Sequence, residues 1–211
     1  MGLMQFVALT ALLLLAPPVA AQVIEFESGG LKYQTLTKNG VTIMYAQLAA
    51  TVREYVTIQV AVSNGTRQPV IIRPEDFSWH PESGPAITPV AARIVVREML
   101  SKARRDDVVG LVGAYENGLY GLQQLRSSSG YESRRRAALA EVESAKLKAA
   151  AAASAIAFVQ TRLAPGETTD GALFFLTMAK PLPPGILKVI CGNQLFEFIL
   201  TESTPQLKTR E

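Results

Sequence analysis

Two patterns of apolar residues divide this chain. In EYVTIQVAVSN (54–64), Val56, Ile58, Val60 and Val62 alternate with Thr57, Gln59 and Ala61. A period of two suits a strand, whose successive side chains point to opposite faces. GVTIMYAQLA (40–49) has the same β-branched and aromatic texture, and Asn64-Gly65 supplies a turn that tolerates positive φ. QPVIIRPEDFSW predicts a further short strand at an edge or a bend, because Pro69 and Pro74 have no backbone donor. Later, TTDGALFFL puts Leu173 and Phe175 on one face and Ala172 and Phe174 on the other. Gly171 within it marks a bulge or a close backbone approach. ILKVICGNQLFEFIL reads as two strands joined at Gly192-Asn193, and TESTPQLKTRE as a frayed tail.

Between these stretches the period changes. Thr88-Pro89 makes a helix start, after which Ala92, Val95, Val96, Met99 and Ala103 recur at helical spacing and Glu98 precedes Lys102 by four. RIVVREML is β-branched enough to compete as a strand, but the charge spacing favours helix. Ser129 and Glu132 match a capping box, and the alanine-rich run that follows has no Gly or Pro up to Thr161. Alanine costs least in a helix, so propensity predicts about thirty helical residues, about 45 Å long. Its thin stripe of Leu139, Val142, Leu147, Ile156 and Val159 needs cover, which residues 89–125 provide if they fold back across RSSSG as an antiparallel hairpin. Pro165 stops the helix, and Pro165-Gly166 fits the two central positions of a type II turn. The expected fold is mainly β: an antiparallel sandwich in two parts, 22–87 and 163–201, interrupted by a long α-helical hairpin insertion over 88–162, with a flexible tail at 202–211.

Composition narrows the address more than the activity. An apolar content of 48% in 211 residues is enough for a real core. A net charge of +3 is far from the dense basic stripe of a nucleic-acid binder, so no nucleic-acid partner is expected. Residues 1–21 read as a signal peptide: an apolar run over 6–16, then Pro17-Pro18, then small residues, with cleavage after Ala21. No Lys or Arg precedes Lys32, so only the α-amino group charges the n-region. The expected location is periplasmic or extracellular, with no span once the signal is cleaved. Cys191 is the lone cysteine, so no intrachain disulfide forms, and its neighbours describe a buried strand.

The strand motifs resemble a known group. VTIQVAVSNGTRQPVIIRPEDFSW followed later by LAPGETTDGALFF is similar to small exported bacterial domains of the immunoglobulin-like β-sandwich type, including the telokin-like extracellular group. The residues carrying the likeness are Asn64, Pro69, Val70, Pro74, Phe77, Leu163, Pro165, Gly166, Glu167, Gly171, Leu173 and Phe175. The resemblance covers the two β parts and none of the helical insertion. It implies an immunoglobulin-like topology and transfers no catalytic residue.

Catalytic chemistry finds little to work with. His80 is the single histidine, in SWHPESG, without a G-x-S-x-G elbow or an H-E-x-x-H motif nearby, and it reads as a turn residue. Glu75-Asp76 and Asp106-Asp107 read as caps. One Cys and one His rule out zinc spacing, and the glycines of VVGLVGAYENGLYG lack a P-loop lysine, so no metal or cofactor is expected. Arg134-Arg135-Arg136 reads as a solvated face beside Glu132, and Asn64-Gly65-Thr66 as a turn rather than a glycosylation site. The candidate partner surface is Val108, Leu111, Val112, Tyr115, Leu119 and Leu122 along one helical face, where Gly110, Gly113, Gly118 and Gly121 admit a second backbone. The expected function is a non-enzymatic exported binding or assembly module, with a protein partner or self-association through the hairpin or a free sheet edge. The alternative is an envelope-associated structural protein whose Gly-rich arm self-associates or touches the membrane surface.

Overall fold

The computed structural model describes residues 22–50, 52–102, 105–121, 130–140, 145–178 and 181–200. Residues 1–21, where a signal peptide is expected, and the tail from Thr201 lie outside them. Along the described chain run β1 (Ile24–Ser28), β2 (Leu31–Lys38), β3 (Val41–Gln47), β4 (Tyr55–Asn64), β5 (Val70–Ile72) and β6 (Phe77–Pro81). Four helices follow: α1 (Ala92–Lys102), α2 (Arg105–Gly121), α3 (Tyr131–Ala140) and α4 (Ala145–Ile156). The chain then returns as β7 (Thr161–Leu163), β8 (Thr168–Leu176), β9 (Gly185–Cys191) and β10 (Gln194–Leu200).

Turn chemistry sets the hairpins. Gly29 and Gly30 take φ of 57° and 75° between β1 and β2, and Asn39-Gly40 take 44° and 83° between β2 and β3. Two successive positive φ values are type I′ geometry, whose twist matches the flanking strands. Gly192, at φ 60°, turns β9 into β10 at the expected point. Gly166 takes φ 81° and the Glu167 N–H donates to Ala164 O at 3.1 Å, closing the expected turn over Pro165-Gly166. Gly65 differs from the expectation. It is absent from the positive-φ residues and instead provides room: a Cβ there would stand 2.8 Å from Gly40 O, the atom that accepts its N–H.

The strands form antiparallel sheets in the orders β1-β2-β3-β4-β8 and β10-β9-β6, with β5-β7 as a short third pair. Val56 lies opposite Phe175 and Ile58 opposite Leu173. These residues, with Val60 and Val62, share a core with Phe77, Trp79, Leu187, Val189, Phe196 and Phe198 from the second layer. The period-two pattern thus lines one interior between two sheet layers, an arrangement compatible with a β-sandwich. Each such side chain contributes about 1.5–3 kcal/mol of burial. The other face of β8 is covered as well. Ala172 and Phe174 pack with Val108, Leu111, Tyr115, Tyr131 and Ile156 in a second core between sheet and helices.

The long hairpin expected for 88–162 is replaced by short helices. In one straight helix Arg134 and Ala155 would stand about 31 Å apart at 1.5 Å per residue. Here the Arg134 Nε–H donates to Ala155 O at 2.9 Å, and α3 and α4 pack side by side, with α4 also against α1 and α2. Alanine propensity reports only local cost. Burying the thin apolar stripe of α4 needs neighbours on several sides, which a cluster supplies better than a single arm.

Much of the resemblance motif acts as structure. Asn64 is buried, its Nδ2 donating to Gln68 O at 2.8 Å and Leu163 O at 3.1 Å, while its backbone exchanges bonds with Glu167 and Gly166. Asn64 thereby ties the end of β4 to β7 through its side chain and to the Pro165-Gly166 turn through its backbone. It is unavailable to a glycosyl transfer in the folded state. At Gly171 a Cβ would lie 2.5 Å from Phe158 Cα, which is the close approach that the sequence suggests.

Candidate functional site

The apolar face of α2 turns inward. Val108, Leu111 and Tyr115 are buried in the core beneath the helices, with Val112 and Leu119 packed against it. Leu122 lies outside the described residues. A partner surface built from these side chains is therefore corrected: the chain's own sheet occupies it, because β8 and β4 present a second apolar face that needs cover. The glycines of α2 divide likewise. A Cβ at Gly118 would meet Gln59 Oε1 at 2.4 Å and Leu31 Cδ1 at 2.5 Å, and one at Gly121 would meet Gly29 N at 2.8 Å. The backbone they admit is the β1–β2 hairpin of the same chain. Gly110 and Gly113 face open space.

A polar network anchors this cover. Asp170 of β8 is 2% exposed and accepts hydrogen bonds from Tyr115 Oη and, at 3.3 Å, from the Tyr131 N–H. Arg134 donates to Asp170 O at 2.9 Å and lies 3.9 Å from its carboxylate. Tyr131 Oη donates to Glu116, whose carboxylate also pairs with Arg135 at 3.3 Å. Burial, then the charge and hydrogen bond of Asp170, hold the Tyr115 phenol well above the ordinary tyrosine range. Arg134, expected on a solvated face, is therefore a clamp between α3, α4 and β8. Every member has a protein partner, so the network binds helices to sheet rather than offering a reactive group.

The sheet edges separate a candidate binding site from the scaffold. At β8, Phe158 N–H donates to Ala172 O at 2.9 Å and Val90 N–H to Phe174 O at 2.8 Å. At β6, Trp79 and Ile87 exchange two 2.8 Å bonds. At β10, Lys38 Nζ donates to Leu195 O at 2.6 Å and Gln34 Nε2 to Ile199 O at 3.0 Å. β8 and β6 are bonded from backbone and β10 from side chains, whereas the outer backbone of β1 receives no bond from the described residues. β1 is also exposed on both faces, with Ile24 at 61% and Phe26 at 37%, the latter stacked on Tyr33 with ring centroids 5.3 Å apart.

Beside β1 lies a groove of about 670 Å³, lined among others by Glu25, Glu27, Gln34, Tyr45, Gln47 and Leu200. Glu25 and Glu27 share the face of β1 that looks toward the second layer, while Ile24, Phe26 and Ser28 share the other. Gln34 Nε2 also donates to Glu25 Oε1 at 2.6 Å, so one amide joins the carboxylate to the end of β10. Burial, then the Glu25 charge, raises the Tyr45 phenol above its usual range. The site offers strand backbone that no described residue bonds, two carboxylates with Lys32 set opposite Glu27, and an aromatic surface. That is a place to hold an extended chain.

Elsewhere the chemistry is sparse. His80 stands half-buried on β6, its Nε2 2.9 Å from Ser78 Oγ, and among the described residues no carboxylate hydrogen-bonds its Nδ1. The pair therefore lacks the member that orients the base in nucleophilic catalysis. Cys191 is buried on β9, and burial followed by the Asp76 charge pushes its thiol up to about 11. Asp76 caps its turn, accepting the Arg73 N–H at 2.7 Å. No cluster among the described residues suits a metal ion, and no described helix is long and apolar enough to cross a membrane.

Compared with known proteins, the chain matches no family model, no curated protein and no solved structure. The β1 site escaped the sequence reading because residues 22–38 were given no strands of their own. The signal was present: VIEFES and LKYQTLTK flank Gly29-Gly30, a two-residue hairpin dipeptide. The sequence does not show which edge stays open, because Val90, Phe158 and Ile87 close theirs from positions remote along the chain or beyond a loop.

Proposed function

We propose that this protein is an exported, non-enzymatic binding module, an immunoglobulin-like sandwich that receives an extended segment of a protein partner along β1. The observation that supports this reading is the contrast among edges. β8, β6 and β10 are each capped by backbone or side-chain bonds, whereas β1 keeps its outer edge without a partner among the described residues. Exposed edges invite pairing, and proteins that do not use them block them. Main-chain bonds to β1 supply affinity, and Glu25 and Glu27 select a strand with basic residues at alternate positions. The helical cluster serves as the scaffold that covers the sheet's second face, with Asp170 as its anchor.

Selection from a displayed library of extended peptides, using the chain from Gln22 onward, tests this. The expected winners alternate Lys or Arg with apolar residues, slow amide exchange at residues 24–28, and lose binding on Glu25→Lys with Glu27→Lys. Selection of peptides that bind this double variant equally well, or that protect a different strand, overturns the reading.

A further inference from the structure

The outer face of the sheet β10-β9-β6 departs from the usual composition of such a surface. Leu187, Val189 and Cys191 of β9 point into the core, as do Phe196 and Phe198 of β10. Their alternates face outward as three rungs across the two strands: Ile186 opposite Ile199, Lys188 opposite Glu197, and Ile190 opposite Leu195. An antiparallel sheet covered on one side ordinarily carries polar residues on the other. Here four of the six outward positions are apolar, with Ile199 at 62%, Ile190 at 57% and Leu195 at 42% exposure. The five-stranded sheet has both of its faces covered, by the second layer and by the helices. Between the two apolar rungs of the open face, Lys188 Nζ and Glu197 Oε1 stand 3.1 Å apart.

We propose that a second copy of the chain docks on this face, sheet on sheet, about a two-fold axis that runs between β9 and β10 along the strands. That axis lays β9 of one copy over β10 of the other and keeps every rung at its own level. Lys188 then faces Glu197 of the second copy, Ile190 faces Leu195, and Ile186 faces Ile199. The charges make a square of alternating sign at the centre, with apolar residues closing over it on either side. A two-fold axis across the strands through the charged rung would instead set Lys188 on Lys188 and Glu197 on Glu197, and like charges so opposed repel. The pattern is thus self-complementary in one orientation, as an isologous contact requires. A partner of a single charge sign is opposed by one member of the pair whichever sign it brings. The patch is smaller than the ~800 Å² per partner of a stable complex, so the dimer is a transient one. The inference is independent of the strand-accepting reading of β1.

Sedimentation of the chain from Gln22 to Glu211 between about 10 μM and 1 mM tests this. A monomer–dimer equilibrium is expected, weakened about tenfold or more by Lys188→Glu or by Glu197→Lys, since each makes the facing charges alike. The two variants mixed one to one are expected to associate again as a heterodimer, because an acidic rung then meets a basic one. Restoration on mixing separates a lost contact from a lost fold. Ile190→Asp, at an exposed position, is expected to abolish association while leaving the melting temperature of the monomer in place. A chain that stays monomeric throughout, single variants that dimerise like the unmodified chain, or a mixture that stays monomeric each overturns the proposal. Dimerisation that survives Lys188→Glu and disappears on Glu25→Lys overturns it too, by moving the contact to β1. Any of these failures leaves the β1 reading to the peptide selection, which reports on a different edge.

Discussion

β8 and β1 are the two edges of one sheet, and they lead opposite lives. β8 is buried on both faces along nearly its whole length, carries a buried aspartate, and has its outer edge bonded by Phe158 and Val90. β1 is exposed on both faces, carries two solvated glutamates, and among the described residues pairs only with β2. The difference shows where the molecule keeps its stability and where it keeps a surface for use. Local opening energy follows buried contacts, so the β8 side should behave as a stable unit and β1 as a yielding one.

Several substitutions sharpen or break that contrast. The largest effect is expected at Asp170. Replacing it with Ala leaves Tyr115 Oη, the Tyr131 N–H and Arg134 facing an apolar side chain in a buried site. A loss of about 3–5 kcal/mol is expected in urea unfolding, against less than about 0.5 kcal/mol for Glu27→Ala on the exposed edge. Comparable losses at the two positions would erase the distinction between the edges.

A middle effect separates the two halves of α2. Gly118→Ala forces a methyl against Gln59 and Leu31 and is expected to cost about 1–3 kcal/mol. Gly110→Ala points into open space and is expected to stabilise by about 0.5–1 kcal/mol, since alanine loses less backbone entropy. Melting temperatures of the two variants should move in opposite directions. A shift in the same direction would mean that α2 does not seat on the β1–β2 hairpin as described.

The smallest effect is a slope. An unfolded tyrosine releases its proton near 10.0, whereas the folded Tyr115 keeps it well above that. Above about pH 10 the native state therefore binds more protons than the unfolded state, and stability falls as pH rises. Below pH 10 this contribution is fully present. Each such tyrosine contributes about 1.4 kcal/mol per pH unit over that window. Urea midpoints measured from pH 8 to 11 should decline more gently in Tyr115→Phe than in the unmodified chain. An unchanged slope would indicate that the phenol is not held by Asp170 in a buried site.

The local pattern was readable where one rule governed one stretch. Val56 to Val62 and Leu173 to Phe175 carry their faces in their alternation, and Pro165-Gly166 and Gly192-Asn193 carry their turns in the φ that glycine allows. The helical region was misread for a physical reason. Propensity along the alanine-rich run is nearly uniform, so it sets no stopping point between residues 131 and 160, and the pairing of Arg134 with Ala155 depends on folding back. The partner face of α2 failed similarly. An apolar stripe looks the same whether a stranger or the chain's own sheet covers it.

By itself the sequence determined the strands that alternate, the dipeptides that turn them, and the scarcity of reactive side chains. It did so because backbone sterics and side-chain periodicity act over a few residues. Tertiary structure alone decided that the sheet is covered twice, that Asp170 and Arg134 meet, and that among the described residues β8 and not β1 is bonded along its outer edge. Those outcomes depend on which distant backbone reaches which donor first, and no local period records that.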